Sequence, residues 1–237
     1  MRMTGWVKAA GFFVMAALLP AGAALAEGKI GIAAAVQNQV FGNSQPLSNG
    51  SSVFANEQIR TGEASTAQLQ FIDQTNLSIG PKSELVLDRF VYDPNRGRGN
   101  VVVQTGRGAF RWVSGSQDPN SYQIKTPVAT IGIRGTVFSL ANGPNVSIIA
   151  LASGQLQITN LVTGQVITLN PGWTLVIYKD GHMDQFQSTD TMQAMVQQID
   201  PILTNEFQEL LLSLTFLNTL GNAFTPAPPH CNYDECR

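Results

Sequence analysis

Between Gly28 and about Asp184, apolar residues recur at every second position in short runs. This is the spacing of a strand that buries one face, not the three- and four-residue spacing of a helix. In 67–71, Ala67, Leu69 and Phe71 alternate with Gln68 and Gln70. In 107–112, Gly108, Phe110 and Trp112 alternate with Arg107, Ala109 and Arg111. The same pattern predicts strands at 85–87, 101–103, 122–124, 128–133, 137–140, 146–151, 156–158, 166–169 and 175–178. Between them, Asn49-Gly50, Asp93-Pro94-Asn95, Asn142-Gly143-Pro144, Asn170-Pro171-Gly172 and Asp180-Gly181 supply residues that tolerate or preset turn dihedrals. Residues 27–186 therefore read as an all-β body of short strands, either solenoid-like or a β-sandwich, and no strict sequence period decides between them.

The pattern changes near Ser188. Thr189, Asp190 and Thr191 offer N-cap oxygens, and Met192, Met195, Val196 and Ile199 follow at helical spacing. After Pro201, the residues Leu203, Phe207, Leu210, Leu211 and Leu214 make one apolar stripe that ends near Gly221. A C-terminal helical extension is thus expected at 187–221, to cover an open end or edge of the β body or to meet a partner or membrane. Residues 222–237 are a Pro-rich tail carrying Cys231 and Cys236. The other end has the form of an export signal: Arg2 and Lys8, an apolar run at 9–19, Pro20 and the triplet Ala24-Leu25-Ala26. The run is too short to span a bilayer as a helix, so residues 1–26 are expected to be a cleaved signal peptide. Export makes a local disulfide between Cys231 and Cys236 the expected state of the two thiols.

The chain has 237 residues, of which 13% are charged, and a formal charge of −2. A low, slightly acidic charge content argues against a nucleic-acid binder. Charge is unevenly placed: between Lys82 and Arg134 eight bases face four acids. Arg96, Arg98, Arg107 and Arg111 within this stretch are the candidate binding surface for an anionic polymer or an acidic partner. The two histidines, His182 and His230, sit in no triad context. No phosphate loop, metal-ligand spacing or calcium loop stands out, so neither a cofactor nor a metal is expected. Five carboxylates, Glu57, Glu63, Asp73, Glu84 and Asp88, leave a carbohydrate-active hydrolase as a remote alternative.

The densest special stretch is 126–138, where Thr126 and Pro127 lead small and β-branched residues into Arg134-Gly135-Thr136. Gly135 permits a bend, and the planar fork of Arg134 suits backbone carbonyls or a carboxylate. With Pro46-Leu47 and Gly50, Ile59-Arg60-Thr61-Gly62, Ala67, Leu69, Phe71 and Asp73, Gly80-Pro81-x-Ser83, Gly108-x-Phe110, Gly154-x-Leu156 and Pro171-Gly172, this stretch resembles the FecR domain family. The resemblance runs over about Gly28 to Gly172. It implies a periplasmic, non-catalytic, all-β signalling or binding module, with Thr126, Pro127, Arg134, Gly135 and Thr136 as its core motif. Regulators of this kind carry a cytoplasmic sigma-factor-binding segment. The residues before the apolar run are too few to form one, so direct transmembrane control of transcription is not expected here. Where the family has an Asp-Gly turn, this chain has Asp73-Gln74-Thr75-Asn76.

The leading expectation is a soluble periplasmic or secreted FecR-type protein that recognises an envelope protein or a glycan. The alternative is a structural surface or matrix component that associates through the C-terminal helices.

Overall fold

The computed structural model describes residues 28–92 and 99–188. Its strands are β1 (Lys29–Gln37), β2 (Val40–Gly42), β3 (Gln45–Pro46), β4 (Ser52–Phe54), β5 (Gln58–Thr61), β6 (Thr66–Phe71), β7 (Asn76–Ile79) and β8 (Glu84–Tyr92). They continue as β9 (Gly99–Thr105), β10 (Gly108–Val113), β11 (Tyr122–Lys125), β12 (Ala129–Asn142), β13 (Val146–Asn160), β14 (Val166–Leu169), β15 (Trp173–Tyr178) and β16 (Met183–Gln187). One short 3-10 turn, Pro119–Ser121, precedes β11. The all-β expectation holds over these residues. The signal peptide, Arg96 and Arg98, the helical extension and the Cys231–Cys236 pair lie outside the described residues.

The strands form one 16-stranded sheet that curls into a half-barrel. A solenoid of stacked rungs needs parallel neighbours, whereas the pairing here is antiparallel except between β9 and β11. A sandwich of two separate sheets is also not what forms. The reason is β12 and β13, of 14 and 15 residues. The sequence pattern divides each into two short strands, because polar and glycine residues interrupt the alternation midway. The backbone instead continues through a bulge between Arg134 and Val137.

This long ribbon connects two halves of the sheet. Along one edge of β12, β11 pairs with residues 130–133 and β10 with residues 137–142. Along the far edge of β13, β14 pairs with residues 156–159 and β15 with residues 146–150. One half is therefore β3, β2, β5, β8, β9 and β11 with the first part of β12; the other is β4, β1, β6, β7 and β10 with its second part. Bulges and glycines are how a strand passes round such a corner.

The inner faces of the halves meet. Phe71 on β6 packs on Phe90 of β8 with ring centroids 5.3 Å apart, and Trp112 on β10 meets Tyr122 of β11 edge-on at 5.7 Å. Around them lie Leu69, Leu77, Ile79, Leu85, Leu87, Ile124, Ile131, Ile133, Phe138 and Leu156, all buried. These are the alternating positions of the pattern, and aromatic contacts of this kind each add about 0.5–1.5 kcal/mol beyond burial.

Candidate functional site

The corner of the β12–β13 ribbon is built by two glycines. Gly135 has φ +57° and Gly154 has φ +83°, and a Cβ on Gly154 would lie 2.2 Å from the Gly135 carbonyl oxygen. Ser114 fastens the corner to β10: its N–H donates to the Thr136 carbonyl, and its Oγ accepts from the Thr136 N–H and from Trp112 Nε1. The start of the motif is a turn. Thr126 Oγ1 accepts the N–H groups of Val128 and Ala129, which reverses the chain from β11 into β12, with Pro127 exposed.

On the outer face beside this corner, Gln123, Gly132 and Gln157 are cross-strand neighbours on β11, β12 and β13. Gly132 has no side chain, so a trough opens between the two glutamines. Asn120, Tyr122, Ile133 and Arg134 complete a groove of about 170 Å³. The Arg134 side chain is exposed and makes no ion pair or hydrogen bond among the described residues. Ligand pockets usually run to about 300–1,000 Å³, so this groove suits a single side chain or one sugar residue rather than a cofactor. Its chemistry is one guanidinium fork with neutral amides around it, which matches a carboxylate flanked by hydroxyl or amide groups.

Behind the groove, Tyr122 is anchored to a buried carboxylate. Asp73 Oδ2 accepts from the Tyr122 hydroxyl (2.8 Å), the Gln117 side-chain amide (2.8 Å) and the Thr75 hydroxyl (2.9 Å), and Oδ1 accepts from the Thr75 N–H (3.0 Å). The Asp73 carbonyl takes the N–H and hydroxyl of Ser116. The four-residue turn that departs from the family pattern is thus an Asp-capped turn with Gln74 at φ +68°. It ties the β6–β7 end to the 114–121 segment that leads into the groove. Two buried oxygens, Gln117 Oε1 beside this carboxylate and Thr136 Oγ1 at the corner, have no hydrogen-bond partner among the described residues.

Burial and the Asp73 carboxylate hold the Tyr122 hydroxyl neutral and push its pKa up to about 12. A folded pKa above the unfolded value of about 10 means stability is full below pH 10 and is lost as pH rises towards 12. Denaturation followed from pH 9 to 12 is expected to show this alkaline loss, about 1.4 kcal/mol per pH unit at its steepest, and Tyr122→Phe is expected to flatten it.

Of the four arginines expected to form a binding surface, Arg107 and Arg111 are described. Arg107 is exposed in the link between β9 and β10. Arg111 lies mid-strand on the outer face of β10, half-buried, and desolvation lowers its pKa from the ordinary guanidinium value. The five carboxylates are dispersed: Glu57 accepts the Phe54 N–H, Glu63 pairs with Lys82, Glu84 accepts from Gln58, Asp88 pairs with Lys125, and Asp73 holds its own cluster. Among the described residues no group of three His, Cys, Asp or Glu is placed to hold a metal ion, and no helix is long and apolar enough to cross a membrane. The groove's amides, Asn120, Gln123 and Gln157, are neutral and add nothing to the charge pattern of the sequence. Their signal in the sequence is only that Gln157 and Gly132 fall on the polar side of their strands.

Residues 57–157 match the family model described as FecR protein. The chain carries a FecR domain. That span takes in the Asp73 cluster, the corner and every residue of the groove, so the site belongs to the FecR domain itself. The chain is similar in part to two crystal structures of a putative anti-sigma factor from Parabacteroides distasonis. Identity is 12% for both, with TM-scores of 0.46 and 0.47. Each similarity covers 60% of this chain and spans 64% of the length of that one. Comparison with curated protein sequences finds no match.

Proposed function

We propose that this chain is an exported, non-catalytic signalling module whose FecR domain recognises a carboxylate-bearing component of the cell envelope in the groove beside Arg134. The observation that carries the reading is the exposed Arg134 guanidinium, left without a partner among the described residues, at the mouth of an amide-lined trough. Export is supported by the basic start, short apolar run and Ala24-Leu25-Ala26 of the N-terminal sequence. A periplasmic or secreted destination is checked by fractionating cells that express the full chain.

Gly132→Val gives the cleanest test of recognition. A Cβ at Gly132 meets nothing closer than 3.6 Å and its φ is ordinary, so valine fits the strand and fills the trough. The full chain, Gly132→Val and Arg134→Glu are immobilised and challenged with envelope extract and, separately, with acidic oligosaccharides. The account expects all three to melt alike and both variants to lose at least about tenfold in retention, a binding loss of about 1.4 kcal/mol or more. Retention of a protein or of the oligosaccharide identifies the class of component. Equal retention by all three proteins removes the groove from the account.

A further inference from the structure

A second surface lies on the back of the other half of the sheet. Cross-strand pairing places Ala109, Ala141, Ile148, Val176 and Asp184 in one row across β10, β12, β13, β15 and β16, with Arg111, Ser139, Ala150, Thr174 and Phe186 in the next. These side chains point away from the inner core, and Ala109, Ala141, Ile148 and Val176 stand outside the core cluster. All four are nevertheless fully buried, with 0% exposure. The sheet curls towards its other face, so no strand of the described body lies over them. An isoleucine or valine on an uncovered sheet face keeps part of its surface in water; Ile148 and Val176 keep none.

We infer that this back face is the docking surface for the chain's own C-terminal segment, seated through Leu203, Phe207, Leu210, Leu211 and Leu214. The chain leaves the sheet on that side: the Ser188 N–H donates to the Gly172 carbonyl, and its Oγ lies 2.8 Å from Thr174 Oγ1, a member of the same face. Another 49 residues follow Ser188. The row from β15 to β10 is three strand spacings, about 14 Å. A helix from Pro201 to Leu214 is about 20 Å long, enough to cross it. The alanines and serine of the rows form a shallow trough that admits a helix closely, while Ile148, Val176 and Phe186 give it an apolar wall. Residues 189–221 hold Asp190, Asp200, Glu206 and Glu209 and no Lys or Arg, whereas the face holds Arg111 at its β10 end and Asp184 at its β16 end, so the segment's carboxylates are expected to lie towards β10. The apolar stripe is then used within the fold and is not free for self-association.

Thiol accessibility in the full chain tests this. In a Cys231→Ser, Cys236→Ser background, single Ala141→Cys, Ile148→Cys and, as an exposed reference, Gln155→Cys variants are titrated with a maleimide. Positions 141 and 148 are expected to react about 100-fold more slowly than 155, at every protein concentration. Leu203→Asp with Leu210→Asp is expected to bring them to within about tenfold of the reference while the β circular dichroism and a cooperative melt persist. The milder Leu210→Ala is expected to move the rates in the same direction. Reaction of 141 and 148 as fast as 155 in the unaltered chain overturns the inference. So does protection that survives the Leu203 and Leu210 changes, which assigns the face to another segment, or protection that disappears on dilution, which assigns it to a second copy.

Discussion

Gly154→Ala is expected to destabilise the protein by about 3 kcal/mol or more, a large part of the ~5–15 kcal/mol that holds an ordinary domain together. Two costs add. At φ +83° an L-residue pays about 1–2 kcal/mol, and the new Cβ would sit 2.2 Å from the Gly135 carbonyl oxygen and 2.9 Å from its carbon. Those are backbone atoms of the opposite strand of the ribbon, so no side chain can rotate out of the way and the corner itself has to open. Gly135→Ala is the internal control. Gly135 also has a positive φ, +57°, but a Cβ there meets nothing within 4 Å, so only the conformational cost of about 1–2 kcal/mol applies. Urea unfolding followed by tryptophan fluorescence separates the two. Equal losses for both variants would mean that the ribbon does not bend where the backbone places the corner.

Asp73→Ala carries the second large effect. The carboxylate is fully buried and accepts from three side chains and one backbone N–H, and its removal leaves the Thr75 and Tyr122 hydroxyls and the Gln117 amide without their acceptor. Each orphaned buried donor costs about 1–3 kcal/mol, with partial relief from hydroxyl rotation, so a loss of about 3–5 kcal/mol is expected. Asp73→Asn keeps the shape and one acceptor oxygen, and the two hydroxyls can turn to accept from its amide, so its loss is expected to be smaller. Because the cluster joins the 114–121 segment to the β6–β7 turn, Asp73→Ala is also expected to weaken the near-ultraviolet circular dichroism of Trp112 and Tyr122. Thermal denaturation and that spectrum together check it.

The inner face of the fold was legible because burial on one side of a strand enforces period two. Ala67, Leu69, Phe71, Phe110 and Trp112 all lie where alternation puts them. The length of β12 and β13 was not legible. Around Gly135 and Gly154 the ribbon turns a corner, and exposed Arg134, Ser153 and Gln155 break the alternation just where the backbone carries on. Glycine at Gly135 correctly marks a bend, but a bend inside a strand and a gap between strands look alike in a pattern of side chains. The choice between solenoid and sandwich failed for a related reason, since edge-sharing by β10 and β11 along one strand is a long-range arrangement that no local window contains.

For the site, Arg134 was visible as part of a motif, and the Asp73 cluster only as a departure from the family's turn. Long-range contacts make that cluster: Gln117 and Tyr122 lie 44 and 49 residues beyond Asp73. The trough at Gly132 depends on two glutamines brought beside it from neighbouring strands. Of the basic stretch, Arg107 is exposed in a turn and Arg111 is half-buried mid-strand.

The central claim is that recognition resides at the ribbon corner. It is tested most directly by placing a photo-reactive phenylalanine analogue at Gln157, in the groove, or at Gln70, exposed on the outer face of β6, in the full chain expressed in cells. The account predicts a discrete adduct from position 157, none from position 70, and loss of the first when Arg134→Glu is added. An adduct from position 70 with none from 157, or one from 157 that is indifferent to Arg134, would contradict it.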